Sequence, residues 1–398
     1  MRRPARLVIS ATVFVDLLGF TLILPALPFY ASSLGATGLW FGALMSAYSV
    51  AQLVAAPVLG RLSDRYGRRP LVLLALAGSV VSMTFTGLAT SLAGLLVCRM
   101  LAGACGGSIS VAQAYLADAV PAERRTGAMA QLGAAIGLAF VVGPALGGVL
   151  APFGFAACAY AAAALAAINL GAAIVWLPEP ARRPPAGPHG TPTRPRQGAG
   201  RVSEPFAVRR RPVALLAGTQ FLAMAAFVGM ETTLAFLGRD RYGWDATAIG
   251  LALAAAGLAM AVVQAGLVAW LARRWGDGRV AAAGAVLMAG CMGAVAGSAT
   301  WWQCLAAVCL LAAGHGLLTP TVASLLAAAG PPEQRGARMG TGQSAGAAAR
   351  IAGPAAAGLL FDAGAALPYV AGAVSAVLAA VAVLAVPALE PAGREEGA

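Results

Sequence analysis

Apolar runs of about twenty residues, separated by short polar clusters, repeat along nearly the whole chain. They fall at 7–29, 40–59, 70–90, 93–117, 127–150 and 155–177, and again at 213–237, 247–271, 280–299, 301–328, 339–361 and 367–387. A helix needs roughly 20 apolar residues to cross the hydrocarbon core of a bilayer, so each run predicts one membrane span. Between the two sets of six lies a stretch from Pro178 to Pro212 with nine prolines, eight arginines and no apolar periodicity. That composition predicts a flexible linker. The expected architecture is an all-α integral membrane protein with 12 transmembrane helices in two six-helix halves. The N-terminal bundle occupies 1–177, the linker 178–212, and the C-terminal bundle with a short tail 213–398.

Composition agrees: 60% of the 398 residues are hydrophobic and the mean hydropathy is +0.79, too apolar for a water-soluble core of this size. The net charge of +12 changes the picture more. All 27 basic residues are arginine, and most of them cluster in the loops between runs. One side collects Arg2, Arg3, Arg6, the 61–69 cluster, Arg124, Arg125, the linker, Arg273, Arg274, Arg279, Arg335, Arg338 and Arg394; the other has only Arg239 and Arg241. This asymmetry is topology information rather than a nucleic-acid face, and it places both termini and the linker in the cytoplasm. The six cysteines all lie inside apolar runs with no CxxC pair, so no disulfide framework is expected. The first run passes Pro25 and Pro28 without a small-residue cleavage site, so no cleavable signal peptide is expected. There is no Walker A loop, zinc cluster or nucleophile elbow, and the two histidines, His189 and His315, form no cluster. An intramembrane enzyme, a resident cofactor and a metal centre are therefore not expected.

The halves echo one another. "GRLSDRYGRRP" (60–70) follows the second run and "WLARRWGDGRV" (270–280) the eighth; "GPALGG" (143–148) in the fifth run is matched by "GPAAAG" (353–358) in the eleventh. Charged and Gly-Pro segments at equivalent places indicate duplication, as in transporters whose halves rock about a central site. In the 60–70 cluster Gly60 and Gly67 permit a tight reversal, Asp64 is placed to cap a helix N-terminus, and Arg65 and Arg68 hold the loop at the membrane face. An anchoring role explains the arginines but not the spacing G-x-L-x-D-R-x-G-R-R.

That spacing closely resembles motif A of the major facilitator superfamily. "LVCRMLAGACGG" (96–107) resembles its motif B, with Arg99 and Gly103 in place. "GLAFVVGPALGG" (137–148) is similar to motif C of the proton-driven drug antiporters, departing at Ala139 where glycine is usual but keeping Gly143, Pro144, Gly147 and Gly148. "DLLGFTLILPALP" (16–28), "RYGWDATAIG" (241–250) and "ARRWGD" (272–277) resemble the tetracycline efflux group. The resemblance implies a monomeric drug:proton antiporter in the plasma (inner) membrane of a bacterium, working by alternating access on a small molecule and driven by the proton gradient. A metal-chelated substrate is compatible with it. It also implies that Asp64 contacts the start of helix eleven and that Arg68 pairs with Asp118, together latching one conformation. One departure stands out: runs 70–90 and 280–299 contain no acid where tetracycline exporters carry one. Another antibiotic or an endogenous metabolite is therefore the alternative substrate; metabolite symport is a further one that motif C opposes.

Ionisable residues within the runs are expensive, about 2.5–3.5 kcal/mol each at a helix centre, and so mark partners or pathways. They are Asp16, Arg99, Glu231, His315 and Arg350. Spans one, four, seven and ten line the central cavity in the superfamily, and four of the five residues fall on those spans. Asp16 and Glu231 are the expected proton-coupling acids, because desolvation favours the protonated form of a carboxyl group. A structural hydrogen bond for Asp16 and a solvated outer position for Glu231 are the alternatives. Gln220 and Glu231, eleven residues apart, share a helix face. Arg99, Gln220, His315 and Arg350 are the expected substrate-cavity residues. For Arg99 the choice is between tuning a neighbouring carboxylate and binding substrate; for His315, between titration and a packing hydrogen bond. Arg350 has three options: pairing with Asp362, pairing with a cavity acid, or snorkelling.

Overall fold

The computed structural model describes residues 3–106, 112, 115, 122–177, 210–330 and 334–386. Among them are fourteen α-helices and no strand. The first set is α1 (Arg3–Leu22), α2 (Leu27–Ser33), α3 (Gly38–Tyr66), α4 (Arg68–Leu88), α5 (Leu92–Cys105), α6 (Ala122–Leu150) and α7 (Phe155–Trp176). The second is α8 (Arg210–Tyr242), α9 (Ala246–Val262), α10 (Val268–Trp275), α11 (Asp277–Gly297), α12 (Trp301–Ala328), α13 (Arg335–Ala363) and α14 (Leu367–Leu384). Ten helical segments are long and apolar enough to cross a bilayer, the first being α1 and α2 together. The remaining two spans are α5, a shorter apolar helix among the described residues, and α13, which has the length but carries Arg335, Arg338, Arg350 and Asp362.

Three details depart from the periodicity. Pro25, lacking an N–H, breaks the first span into α1 and α2. The eighth span carries a π-helical turn, Val263–Leu267, between α9 and α10. The seventh begins at Arg210, with Pro212 in its first turn where a missing N–H costs nothing. Many large apolar side chains face outward, among them Val54, Leu74, Val97, Ile168 and Val175. In water such a surface would aggregate; in lipid it is the solvated face. Exposed tryptophans ring both ends: Trp176, Trp270 and Trp275 at the end where the chain starts, which we call the terminal end, and Trp40, Trp301 and Trp302 at the far end.

Contacts repeat between the two sets. In the first, α1 packs on α6 and α7, α3 on α5, and α4 on α7; in the second, α8 packs on α13 and α14, α9 on α12, and α11 on α14. The sets meet where α3 lies on α13 and α6 on α9. Reversals repeat as well. Gly67, between α3 and α4, has φ 109° and ψ 160°; Gly276, between α10 and α11, has φ 82° and ψ 151°. Only glycine occupies that region without strain of about 1–3 kcal/mol. Gly67→Ala and Gly276→Ala are each expected to lower the unfolding midpoint of the detergent-solubilised protein, whereas Gly60→Ala, whose Cβ would meet nothing within 4 Å, is expected to leave it unchanged.

Glycines also show how the sets touch. At the far end a Cβ on Gly42 would overlap the Pro354 carbonyl, one on Gly358 the Gly38 carbonyl, and one on Gly250 would come 2.5 Å from the Pro144 carbonyl. Ser46 Oγ donates to the Ile351 carbonyl at 2.6 Å. Toward the terminal end of the same four spans, Gly60, Gly133, Gly137, Gly266, Gly336 and Gly340 have nothing within reach. The two sets are thus closed on each other at the far end.

Candidate functional site

The site is organised around Tyr48, near the middle of α3. Gly103 lets α5 approach the Tyr48 backbone carbonyl, and Gly106 leaves room for its hydroxyl. Its ring stacks on Phe20 of α1 with centroids 4.5 Å apart. Over this pair lies the guanidinium of Arg99, with its Cζ 5.3 Å from the Phe20 centroid and 5.8 Å from that of Tyr48. Arg99 is 1% exposed. Its Nη2 donates to Met45 Sδ at 3.2 Å, a weak acceptor, while Nε and Nη1 have no hydrogen-bond partner. Among the described residues no carboxylate pairs with it, and the aromatic faces and one sulfur supply the charge stabilisation.

Asp16 accepts a hydrogen bond from Ser79 Oγ of α4 at 2.9 Å. Beside it is a cavity of about 20 Å³, room for roughly one water. Its walls come from α1, α3, α4, α5 and α7, all in the first set. Asp16 itself is half-buried. It remains within electrostatic reach of Tyr48.

The second set contributes a stripe along α8. Gln220, Phe227 and Glu231 are spaced seven and four residues apart, so they share a face. Gln220 packs against Gly346 of α13. The Phe227 ring stacks on His315 of α12, with centroids 4.4 Å apart and planes at 13°. His315 is buried, its Nε2 is 3.3 Å from Thr319 Oγ1, and its Nδ1 has no partner. Thr319 lines a cavity of about 570 Å³ between the π-helical turn, α10 and α12. Glu231 is half-buried, and among the described residues it makes no hydrogen bond or ion pair. Arg350, one turn along α13 from Gly346, is half-buried and likewise without a partner, within reach of both Tyr48 and His315.

The Arg350–Asp362 pair is not formed. The Asp362 carboxylate instead accepts from the Gly38 and Leu39 amides at 2.7 and 2.9 Å, tying the end of α13 to the start of α3 at the far end. This link, and the Tyr48 hub, were missed from the sequence. The polar run "SAYSVAQ" (46–52) inside an apolar span was the available signal for Tyr48.

Around the 60–70 cluster, Arg68 Nη1 donates to Ser63 Oγ at 2.7 Å, Arg69 Nη2 to the Ile174 carbonyl at 2.6 Å, and Arg65 lies 5.4 Å from the Tyr66 centroid. The Asp64 side chain and Asp118 lie outside the described residues, and so do the contacts expected of them. The Gly-Pro segment of α6 sits between two neighbours. A Cβ on Gly143 would overlap Thr21 Oγ1, one on Gly147 the Leu22 carbonyl, and one on Gly148 would come 3.0 Å from the Thr247 carbonyl of α9. Thr21 Oγ1 also donates to the Ala139 carbonyl at 3.0 Å.

A duplicated helical bundle with unpaired ionisable residues at the meeting of its halves is the architecture of a membrane transporter. The family model described as Major Facilitator Superfamily matches residues 9–288 and 242–398, and the chain belongs to that superfamily. It is 31% identical over 360 residues to the class G tetracycline resistance protein of Vibrio anguillarum, covering 88% of this chain and 89% of that one. It is also 31% identical over 406 residues to human major facilitator superfamily domain-containing protein 10, covering 88% and 86%. The solved structure of that human protein, described as an organic anion transporter, superposes with a TM-score of 0.66 at 26% identity, over 96% of this chain and 99% of the other. A bacterial homologue of the lysosomal transporter Spinster, in an inward-facing, occupied conformation, shares the fold with a TM-score of 0.74 at 13% identity, over 96% of each chain.

Proposed function

We propose that this transporter exports a drug-like, amphipathic small molecule in exchange for protons by alternating access, from a bacterial cytoplasm that holds both termini and the linker. The seating of Gly143, Gly147 and Gly148 between α1 and α9 carries the reading. It places the antiporter-like motif on the contact between halves, where a rocking motion has to act. In this frame the closed far end is the outer one and the terminal end faces the cytoplasm. Asp16 and Glu231 carry the protons, Arg99, Gln220, His315 and Arg350 contact the cargo, and the 60–70 cluster latches the opposite state. The similarity to tetracycline resistance proteins supports tetracycline or a related antibiotic as substrate. The lack of an acid in α4 and in the apolar part of α11 favours, as a second reading, another antibiotic or an endogenous secondary metabolite.

The test is expression in a pump-deficient bacterial host across a compound panel, followed by uptake of the protective compound into everted vesicles. Resistance to at least one amphipathic class is expected, with uptake abolished when an uncoupler collapses the proton gradient. Uptake indifferent to the uncoupler would overturn proton coupling, and no change in susceptibility to any compound would overturn drug export.

A further inference from the structure

The cavity of about 570 Å³ in the second set has no task in drug export as proposed above. It lies between the π-helical turn, α10, the first residue of α11 and α12. The two helices that frame it both lose regular backbone where they face it. On one side the chain winds into the π-helical turn Val263–Leu267; on the other, Pro320 has no N–H for the Gly316 carbonyl one turn back. Within a membrane such breaks persist where protein covers them or where they line a wet cavity, and π-helical turns are frequent at functional sites. Polar side chains with bonding capacity to spare line the space. The Asp277 carboxylate, the Gln264 amide and the Ser324 hydroxyl make no hydrogen bond or ion pair among the described residues, and Thr319 has only its contact with His315 Nε2. Asp277, half-buried, is the single charged residue of the wall, and no arginine lines it. Arg273, Arg274 and Arg279 of the adjoining reversal are exposed, Arg274 with its Cζ 5.7 Å from the Trp270 centroid, and water screens them. The apolar part of the wall is Val268, Ala269, Ala272, Pro320 and Ala323.

We propose that this cavity is a binding site for an organic ammonium group carried on an apolar body. An –NH3+ group has three donors and no acceptor. The Asp277 carboxylate supplies the opposite charge and a charge-assisted bond, and the Gln264 amide oxygen and the Ser324 hydroxyl accept the other two donors. The apolar body lies against the alanines and Pro320. The volume is within the range of small-molecule sites, about 300–1,000 Å³. The site is built from the second set alone and shares no residue with the Tyr48 hub, where the buried Arg99 repels a cation. A water-borne amine and the amino headgroup of a lipid both carry the chemistry it recognises.

Binding is measured by calorimetry on the full-length protein in an uncharged maltoside detergent, with protein-free micelles subtracted. The probes have nearly equal shape: naphthylmethylammonium and the neutral naphthylmethanol. The ammonium is expected to bind at least about tenfold more tightly, the effect of a charge-assisted hydrogen bond in place of a neutral one. Asp277→Asn is expected to remove that preference while changing the affinity for the alcohol less than about twofold. Asparagine suits the start of a helix as well as aspartate does, so the variant keeps the fold. Ala269→Phe, which fills the cavity from an exposed position, is expected to abolish binding of both probes. Asp16→Asn and Glu231→Gln are expected to keep the preference. Equal binding of the two probes, no binding of either, a preference that survives Asp277→Asn or Ala269→Phe, or one that is lost in Asp16→Asn or Glu231→Gln overturns the proposal. Where the preference depends on Asp277, competition by phosphatidylethanolamine but not by diacylglycerol assigns the ammonium to a lipid headgroup, and absence of competition assigns it to a water-borne amine. Binding needs no proton gradient, so failure of drug export leaves this inference standing, and failure here leaves the export reading untouched.

Discussion

Asp16→Asn is expected to lower gradient-driven export by on the order of a hundredfold, the scale on which a positioned proton-transfer group acts, while the protein still inserts and folds. Asparagine has nearly the same shape as aspartate, and its carbonyl oxygen can accept the same hydrogen bond from Ser79 Oγ. The exchange removes one property, the ability to gain and lose a proton. The position makes that property consequential. Asp16 lies on a cavity of about 20 Å³ that Tyr48 also lines, and Arg99 sits over the Tyr48 ring. A change of charge at Asp16 is therefore felt at the hub between the halves. Ser79→Ala, which removes one donor and leaves the carboxyl group, is expected to slow export and keep its dependence on the gradient. The measurement is the initial rate of uptake into everted vesicles, with and without an imposed pH difference. If Asp16→Asn keeps full gradient dependence and Glu231→Gln loses it, the proton carrier is Glu231 on the second half and the position of Asp16 is structural.

The contrast between Asp16 and Arg99 shows how far the sequence reaches. Both residues stand out because a charge within an apolar run is rare in any membrane helix, and that cost is visible in one dimension. Which way a residue faces is not. A helix may be rotated about its axis without altering its apolar average, because lipid and the small-residue interior are both apolar. The membrane-spanning class and the order of the spans were legible for the same reason: the solvent imposes length and apolarity on every span. Breaks inside spans were not. Pro25 was visible, but a proline in a membrane helix is often absorbed as a kink; the π-helical turn at Val263–Leu267 has no proline and no charge to announce it. The Gly-Pro match between 143–148 and 353–358 read as duplication, and in the structure both segments lie on helices that pack against a helix of the opposite half. Tyr48 was hidden because its importance comes from neighbours on α1, α5 and α13, brought together only by folding.

Gly42→Val is expected to abolish transport by a different route, one that spares the fold of each half. The backbones of α3 and α13 touch at this point: a Cβ on Gly42 would overlap the Pro354 carbonyl and lie 2.9 Å from Ala355 Cα. Backbone cannot swing aside as a flexible side chain can, so the two helices have to separate. Overpacking of this kind costs about 1–3 kcal/mol, occasionally more, and about 3 kcal/mol shifts a two-state equilibrium by roughly a hundredfold. The far-end closure would lose its other ties with it, namely the Asp362 carboxylate on the Gly38 and Leu39 amides and the Phe41–Phe236–Phe361 cluster. Spin labels at Ser33 and Leu367, both exposed at the far end on opposite halves, are expected to move apart in the variant, with the yield of folded protein preserved. Gly103→Val supplies the contrast. Its Cβ would overlap the Tyr48 carbonyl within the first half, so folded yield is expected to fall and the distance across the far end to stay unchanged in the protein that does fold. Normal transport by Gly42→Val, with the label distance unaltered, would show that the contact between α3 and α13 is no part of the transport cycle.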